Sequence, residues 1–330
     1  MKTCQMYTKK IEDTYQIDNK LVQAVIAQIF IIGKNIKGFN GLPRLHIHKF
    51  LFKLEKELSE SNPIKDHLPF YWYRYGPFSE VVDANIGNIL VGRQKNGYEL
   101  LDLREGFEKN IGFPENRNFE DIKYKLKTIV RSKNLFGGFN KFRNEIYKNA
   151  PCHFISTYDD FKNGLRNYSE KSQLTIDEAC GMYEEIDKLE NILYRCESEL
   201  PSESLFKYFN ESFSSFVTNA IRIFNMVRKD GKTVLYSNEL LPHMTEAVWE
   251  TFVYGARILY HDRYYNNKLE DWKYIYNNSL VDLHSHIDNF NTNVLKEIRT
   301  KSPELIAKKL DNLDDISKNV LSSVVDGYLR

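Results

Sequence analysis

The stretch that most constrains this chain is Phe70-Tyr71-Trp72-Tyr73-Arg74-Tyr75-Gly76-Pro77-Phe78-Ser79. Five of the six residues from Phe70 to Tyr75 are rings, enough to bury one face of a short strand and dress the other. Gly76-Pro77 punctuates the run. Ser79 then stands where an N-cap belongs, ahead of residues 80–90, whose Val82, Ile86, Ile89 and Leu90 make one helical face. The sequence predicts a half-buried strand that turns sharply into a capped helix, with what precedes it as support. It points to a binding protein more strongly than to an enzyme.

A chain of 330 residues, 42% hydrophobic and 14% aromatic, can bury two ring-rich cores. Net charge is +1, but it is unevenly spread: residues 1–150 have an excess of Lys and Arg, residues 151–330 of Asp and Glu. Such asymmetry predicts a basic half facing a polyanion and an acidic half with another task. Cys4, Cys152, Cys180 and Cys196 form no C-x-x-C pair, which fits reduced thiols in a cytosol. The longest apolar stretch, Leu21 to Gly33, is too short to span a bilayer, so a cytoplasmic protein without membrane contact is expected.

In chain order, Asp18 predicts the cap of an almost wholly apolar helix ending near Gly33. A glycine-containing loop leads to a second helix, about Arg44 to Leu58, with Leu45, Ile47 (marginally), Phe50, Leu51, Leu54 and Leu58 inward and Arg44, Lys49, Lys53 and Lys56 outward. After the aromatic strand and its helix, Asn96-Gly97 predicts a turn into a strand over Tyr98–Leu103. Helix, helix, strand, helix, turn, strand is the order of a winged helix-turn-helix, in which one helix enters a major groove and the wing touches backbone.

His48-Lys49-Phe50-Leu51-Phe52, followed by the Phe70–Ser79 run, resembles the phage-associated family related to the SocA antitoxin. That family joins a K-L-x-Y helix to an aromatic W-x-Y-G-P-x-S/P strand-turn. The resemblance covers Leu42–Leu103. It implies a small helical, winged-helix-like fold and an adaptor or antitoxin role in toxin–antitoxin, phage or mobile-element settings. This chain continues far beyond the matched stretch.

Between positions 117 and 148, nine cations (among them Lys123, Lys127, Arg131, Lys133, Lys141 and Arg143) face three acids, and Leu135-Phe136-Gly137-Gly138-Phe139 interleaves rings with glycines. This is the composition of a phosphate-tracking surface. From about 151 onward the pattern is helical: an acidic stretch over 175–199, a ring-lined one over 202–227 (Phe206, Phe209, Phe213, Phe216, Phe224), a short extension at Val234–Tyr236, and helices over 239–263, 267–300 and 303–328, the last started by Ser302-Pro303.

No phosphate-binding glycine loop, nucleophile elbow or paired catalytic carboxylate is present. His46/His48 and His284/His286 are two apart and diverge on a helix. Arg257 and His261 form R-x-x-x-H, which loosely resembles the Arg–His pair of HEPN ribonucleases with a spacing one residue short. They are the catalytic candidates, set against a surface His-Asp pair at a helix end.

The expectation is therefore a mostly α protein: a winged-helix-like domain over 1–113, a basic helix and Gly-rich connector over 114–150, and an acidic helical bundle over 151–330 that forms a homodimer through 174–330 or holds a protein partner. The expected partner of the basic half is nucleic acid, double-stranded DNA first. Arg44, Lys49, Lys53, Lys56, Arg74, Ser79, Arg93 and Lys95 join the 123–143 cations in that surface, with no cofactor and no metal. An antitoxin-like adaptor and a HEPN-like ribonuclease are the alternatives.

Overall fold

A computed structural model of the chain describes residues 16–36, 38–95, 97–107, 116–131, 139–171, 179–230 and 234–311. The protein is mostly helical, and no described helix is long and apolar enough to cross a membrane. The chain divides into two units, and neither is contiguous. The first comprises Met1–Ser156 and Phe252–Asn277, the second Thr157–Thr251 and Asn278–Arg330. Composition read along a chain does not reveal a segment that returns, so the expected divisions at 113 and 150 contain no counterpart to Phe252–Asn277.

In the first unit, α1 (Asn19–Lys34) is capped by the Asp18 side chain, which accepts from Leu21 N at 3.1 Å. Its Val22, Val25, Ile26, Ile29 and Phe30 have no solvent exposure. α2 (Arg44–Glu57) brings Ile47, Leu51 and Leu54 to the same core, and α4 (Arg117–Arg131) brings Ile122, Leu126 and Ile129. α3 (Glu80–Ile89) adds Val82, Ile86 and Ile89. A buried Asn85 ties it to α1: Asn85 Oδ1 accepts from Gln23 Nε2 at 2.9 Å, and its Nδ2 donates to Asn19 Oδ1 at 2.8 Å. α5 (Phe139–Lys148) follows α4 in the chain.

Two hairpins complete the unit. The aromatic run is a hairpin in itself, β1 (Tyr71–Tyr73) against β2 (Gly76–Phe78), where a single strand is predicted. Gly76 sits at φ 102°, the left-handed region the tight turn requires. β3 (Leu90–Lys95), not foreseen as a strand, pairs with the expected β4 (Tyr98–Leu103). Leu42 pairs with Leu101 by two hydrogen bonds (3.0 and 2.8 Å), and a Cβ on the adjacent Gly41, at φ 93°, would strike the Leu101 carbonyl.

α6 (His153–Lys171), α9 (Val234–Leu259) and α10 (Leu269–Asp311) each contribute residues to both units, while α7 (Ala179–Ser198) and α8 (Lys207–Asp230) belong to the second. The second unit is built on rings at helical spacing. Phe209, Phe213 and Phe216 of α8 are fully buried, with Tyr158 stacked on Trp249 at 5.9 Å and Phe216 on Phe290 at 6.4 Å. Lys162 lies over the Trp249 ring and binds Glu246 at 2.8 Å. Two predicted starts are corrected. Residues 234–236 belong to α9, which contains Pro242, and α10 runs unbroken through Ser302-Pro303. One proline removes one backbone bond, and a long helix can absorb that loss.

Candidate functional site

The aromatic hairpin is the middle of the site. On one side β1 pairs with β2 in the register Tyr71↔Phe78. On the other it pairs with the segment after α9: Trp72 N donates to Tyr260 O at 3.3 Å and Asp262 N to Phe70 O at 2.8 Å. Tyr71, 6% exposed, packs against Tyr265 (4.9 Å), Trp272 (4.9 Å) and Phe78 (5.8 Å). Trp72, 2% exposed, meets Phe52 and Tyr147 edge-on. Burial and the nearby Glu80 push the Tyr71 hydroxyl far above the usual tyrosine range, so it stays a neutral phenol.

The start of α3 is held by three partners. Ser79 Oγ accepts from Val82 N at 3.3 Å, as its position in the sequence predicts. The Tyr265 hydroxyl accepts from Glu80 N at 3.1 Å and donates to Pro69 O at 3.3 Å. His48, without solvent exposure, accepts from Ser79 N at Nδ1 (3.3 Å), which puts its proton on Nε2, facing Asp83 Oδ1 at 3.4 Å. Burial holds His48 below its ordinary value despite Asp83. The His48 hydrogen bond, then Arg44 at 2.8 Å, holds the Asp83 carboxyl low. Burial and Lys49 bring His46 down to about 3.

Beside the hairpin opens a cleft of about 380 Å³. Phe52, Leu68, Phe70, Tyr71, Trp72 and Pro77 give it apolar walls, and Glu55, Lys56, Asn149, His261 and Asp262 supply polar atoms. Lys56 stands over the Phe52 ring at 5.3 Å and binds Glu55 at 3.1 Å.

Most cations expected to meet nucleic acid are spoken for within the chain. Arg44 pairs with Asp83, Lys53 with Glu145 at 2.5 Å, Lys123 with Glu120 at 2.6 Å, and Arg93 with Asp102. Lys49 is buried and donates to Tyr75 O at 2.8 Å. Arg74 and Arg143 lie over the rings of Tyr75 and Tyr147. Ser79 is buried at its cap. Lys127 and Arg131 are exposed on α4 and have no ion pair among the described residues. Lys133 and the side chains of Lys95 and Lys141 lie outside the described residues.

Arg257 and His261 both sit against Trp272. Arg257, 7% exposed, lies over the rings of Tyr254 (4.9 Å) and Trp272 (5.1 Å), and burial lowers its pKa. His261 meets Trp272 edge-on at 6.0 Å, and its Nε2 lies 3.0 Å from Asn266 Oδ1. No group of three or more His, Cys, Asp or Glu that could hold a metal occurs among the described residues. The site residues not foreseen are Tyr260, Tyr265 and Trp272. The signal was present in Tyr260-His-Asp-Arg-Tyr-Tyr265, a ring-dense run with an N-capping Asp262, whose side chain accepts from Tyr264 N at 2.8 Å.

No family model matches the chain, and neither a curated protein nor a solved structure does.

Proposed function

We propose that the first unit is a winged-helix-like module that holds a protein partner, in an adaptor or antitoxin-like role, at the cleft beside the aromatic hairpin. One observation carries this reading. α3, the helix that would enter a major groove, bears Glu80 and Asp83 and no cation. A groove-reading helix without a cation has nothing to neutralise phosphate with, and affinity for a duplex comes mainly from Lys and Arg that displace its condensed counterions. The winged-helix part of the reading is supported by the order of elements: α1, a bridging Leu42 that pairs with Leu101, then α2, α3 and the β3–β4 hairpin. The resemblance of Leu42–Leu103 to the phage-associated family related to the SocA antitoxin points the same way.

A second reading, contact with double-stranded DNA, draws on the outer face of α4. There Lys127 and Arg131 are exposed beside Tyr124, which is 71% exposed. The HEPN-like alternative draws little support, because Nε2 of His261 is engaged with Asn266 Oδ1 at 3.0 Å.

One pair of measurements separates the readings. A labelled random duplex, followed by anisotropy at low and moderate salt, is expected to show no salt-dependent binding. The tagged full chain is expected to retain a stoichiometric protein partner from its own cells, lost in Phe52→Ala and kept in a Lys127→Ala, Arg131→Ala double variant. Duplex binding that falls steeply with salt and vanishes in the double variant would overturn the docking assignment in favour of nucleic acid.

A further inference from the structure

Beside the rings that border the cleft lies a buried cation with two unmade hydrogen bonds. Arg257 is only 7% exposed, yet its Nε and Nη2 find no hydrogen-bond partner among the described residues. These two nitrogens lie along one edge of the guanidinium and donate in parallel, a fork that can donate to both oxygens of a carboxylate. Its contacts with the rings of Tyr254 and Trp272 are through π electrons and leave that edge unused. Glu80, an acid close enough to act on Arg257 through its charge, is already bound to Lys268 and to the Tyr71 hydroxyl at 3.5 Å. A buried guanidinium with two unmade hydrogen bonds is costly, and an arriving anion offsets that cost.

The same residues border both features. Tyr71 and His261 line the cleft, and both pack on Trp272, over which Arg257 lies. Two further polar atoms here have no hydrogen-bond partner among the described residues: Trp72 Nε1 and His261 Nδ1. We propose that the Arg257 fork is a carboxylate-binding site, reached from the cleft by displacement of the Tyr71 or His261 ring. The ligand is a planar carboxylate, either a free small acid or the terminal or side-chain carboxylate of a docked polypeptide. The free-acid form holds whether or not a protein docks at the cleft, so the two assignments fail separately.

The test uses the full chain and acetate. Saturation-transfer NMR on the wild type is expected to show transfer to the acetate methyl group, and none to acetamide, the neutral isostere. Equal transfer to both overturns the proposal without any variant. Arg257→Lys keeps the charge and loses the fork, so acetate is expected to bind roughly tenfold more weakly, the loss of about one charge-assisted hydrogen bond. Undiminished acetate binding in folded Arg257→Lys overturns it as well. A short peptide with a free C-terminal carboxylate, compared with its amide, assigns the source. Binding tighter than acetate, and lost in the amide, assigns a polypeptide carboxylate; binding no tighter than acetate assigns a free acid.

Discussion

His48 has its two ring nitrogens committed in opposite senses, Nδ1 accepting from Ser79 N and Nε2 facing Asp83. Protonation would put a second hydrogen where the Ser79 N–H already points, in a place closed to solvent. The folded state therefore prefers the neutral ring, and its pKa lies below the ordinary 6.5. Since the unfolded chain takes up the proton first, this contribution is complete above pH 6.5 and is lost as pH falls below it. The loss from this residue approaches about 1.4 kcal/mol per pH unit in that window. Denaturant titrations at a series of pH values are expected to show the slope, reduced by about one proton in His48→Gln. The charge partners of this neighbourhood were not legible in the sequence. Lys53 finds Glu145 92 positions away, and Lys49 finds a backbone carbonyl. Local pattern marks a residue as a cation on an outer face; only the fold decides whether that face stays open.

Elements were legible where their signals are local. Ser79 followed by an apolar face predicts the start of α3, and the hydroxyl does cap Val82 N. Ser79→Ala is expected to cost about 1 kcal/mol in chemical denaturation and Ser79→Asn much less, because only the latter keeps a capping oxygen. The α1 cap at Asp18 and the strand after Asn96-Gly97 were equally visible. β3 was hidden because it follows α3 without a loop and carries Gly92, a poor strand former, in its middle. The hairpin inside the aromatic run was hidden for another reason. Its turn is Arg74-Tyr75, and only the left-handed Gly76 marks it. At Ser302-Pro303 the cap-and-proline pattern is present and the helix passes through it, so local punctuation yields to the continuity of α10.

For the molecule as a whole, the decisive fact is that Phe252–Asn277 belongs to the first unit. This segment supplies Tyr265 and Trp272 to the hairpin and the strand partner of β1. A fragment ending at residue 156 is expected to lack a cooperative thermal transition. The same fragment with residues 252–277 attached through a flexible linker is expected to regain one, read by circular dichroism. Cooperative unfolding of the shorter fragment would show that the returning segment is dispensable. The return also sets a timetable. A ribosome that has finished residue 156 must still make residues 157–251 before the covering segment begins to appear, on the order of 5–20 s at about 5–20 residues per second. Throughout that interval the ring of Tyr71 has neither Tyr265 nor Trp272 against it, and the nascent chain presents to solvent an aromatic surface that the finished protein hides.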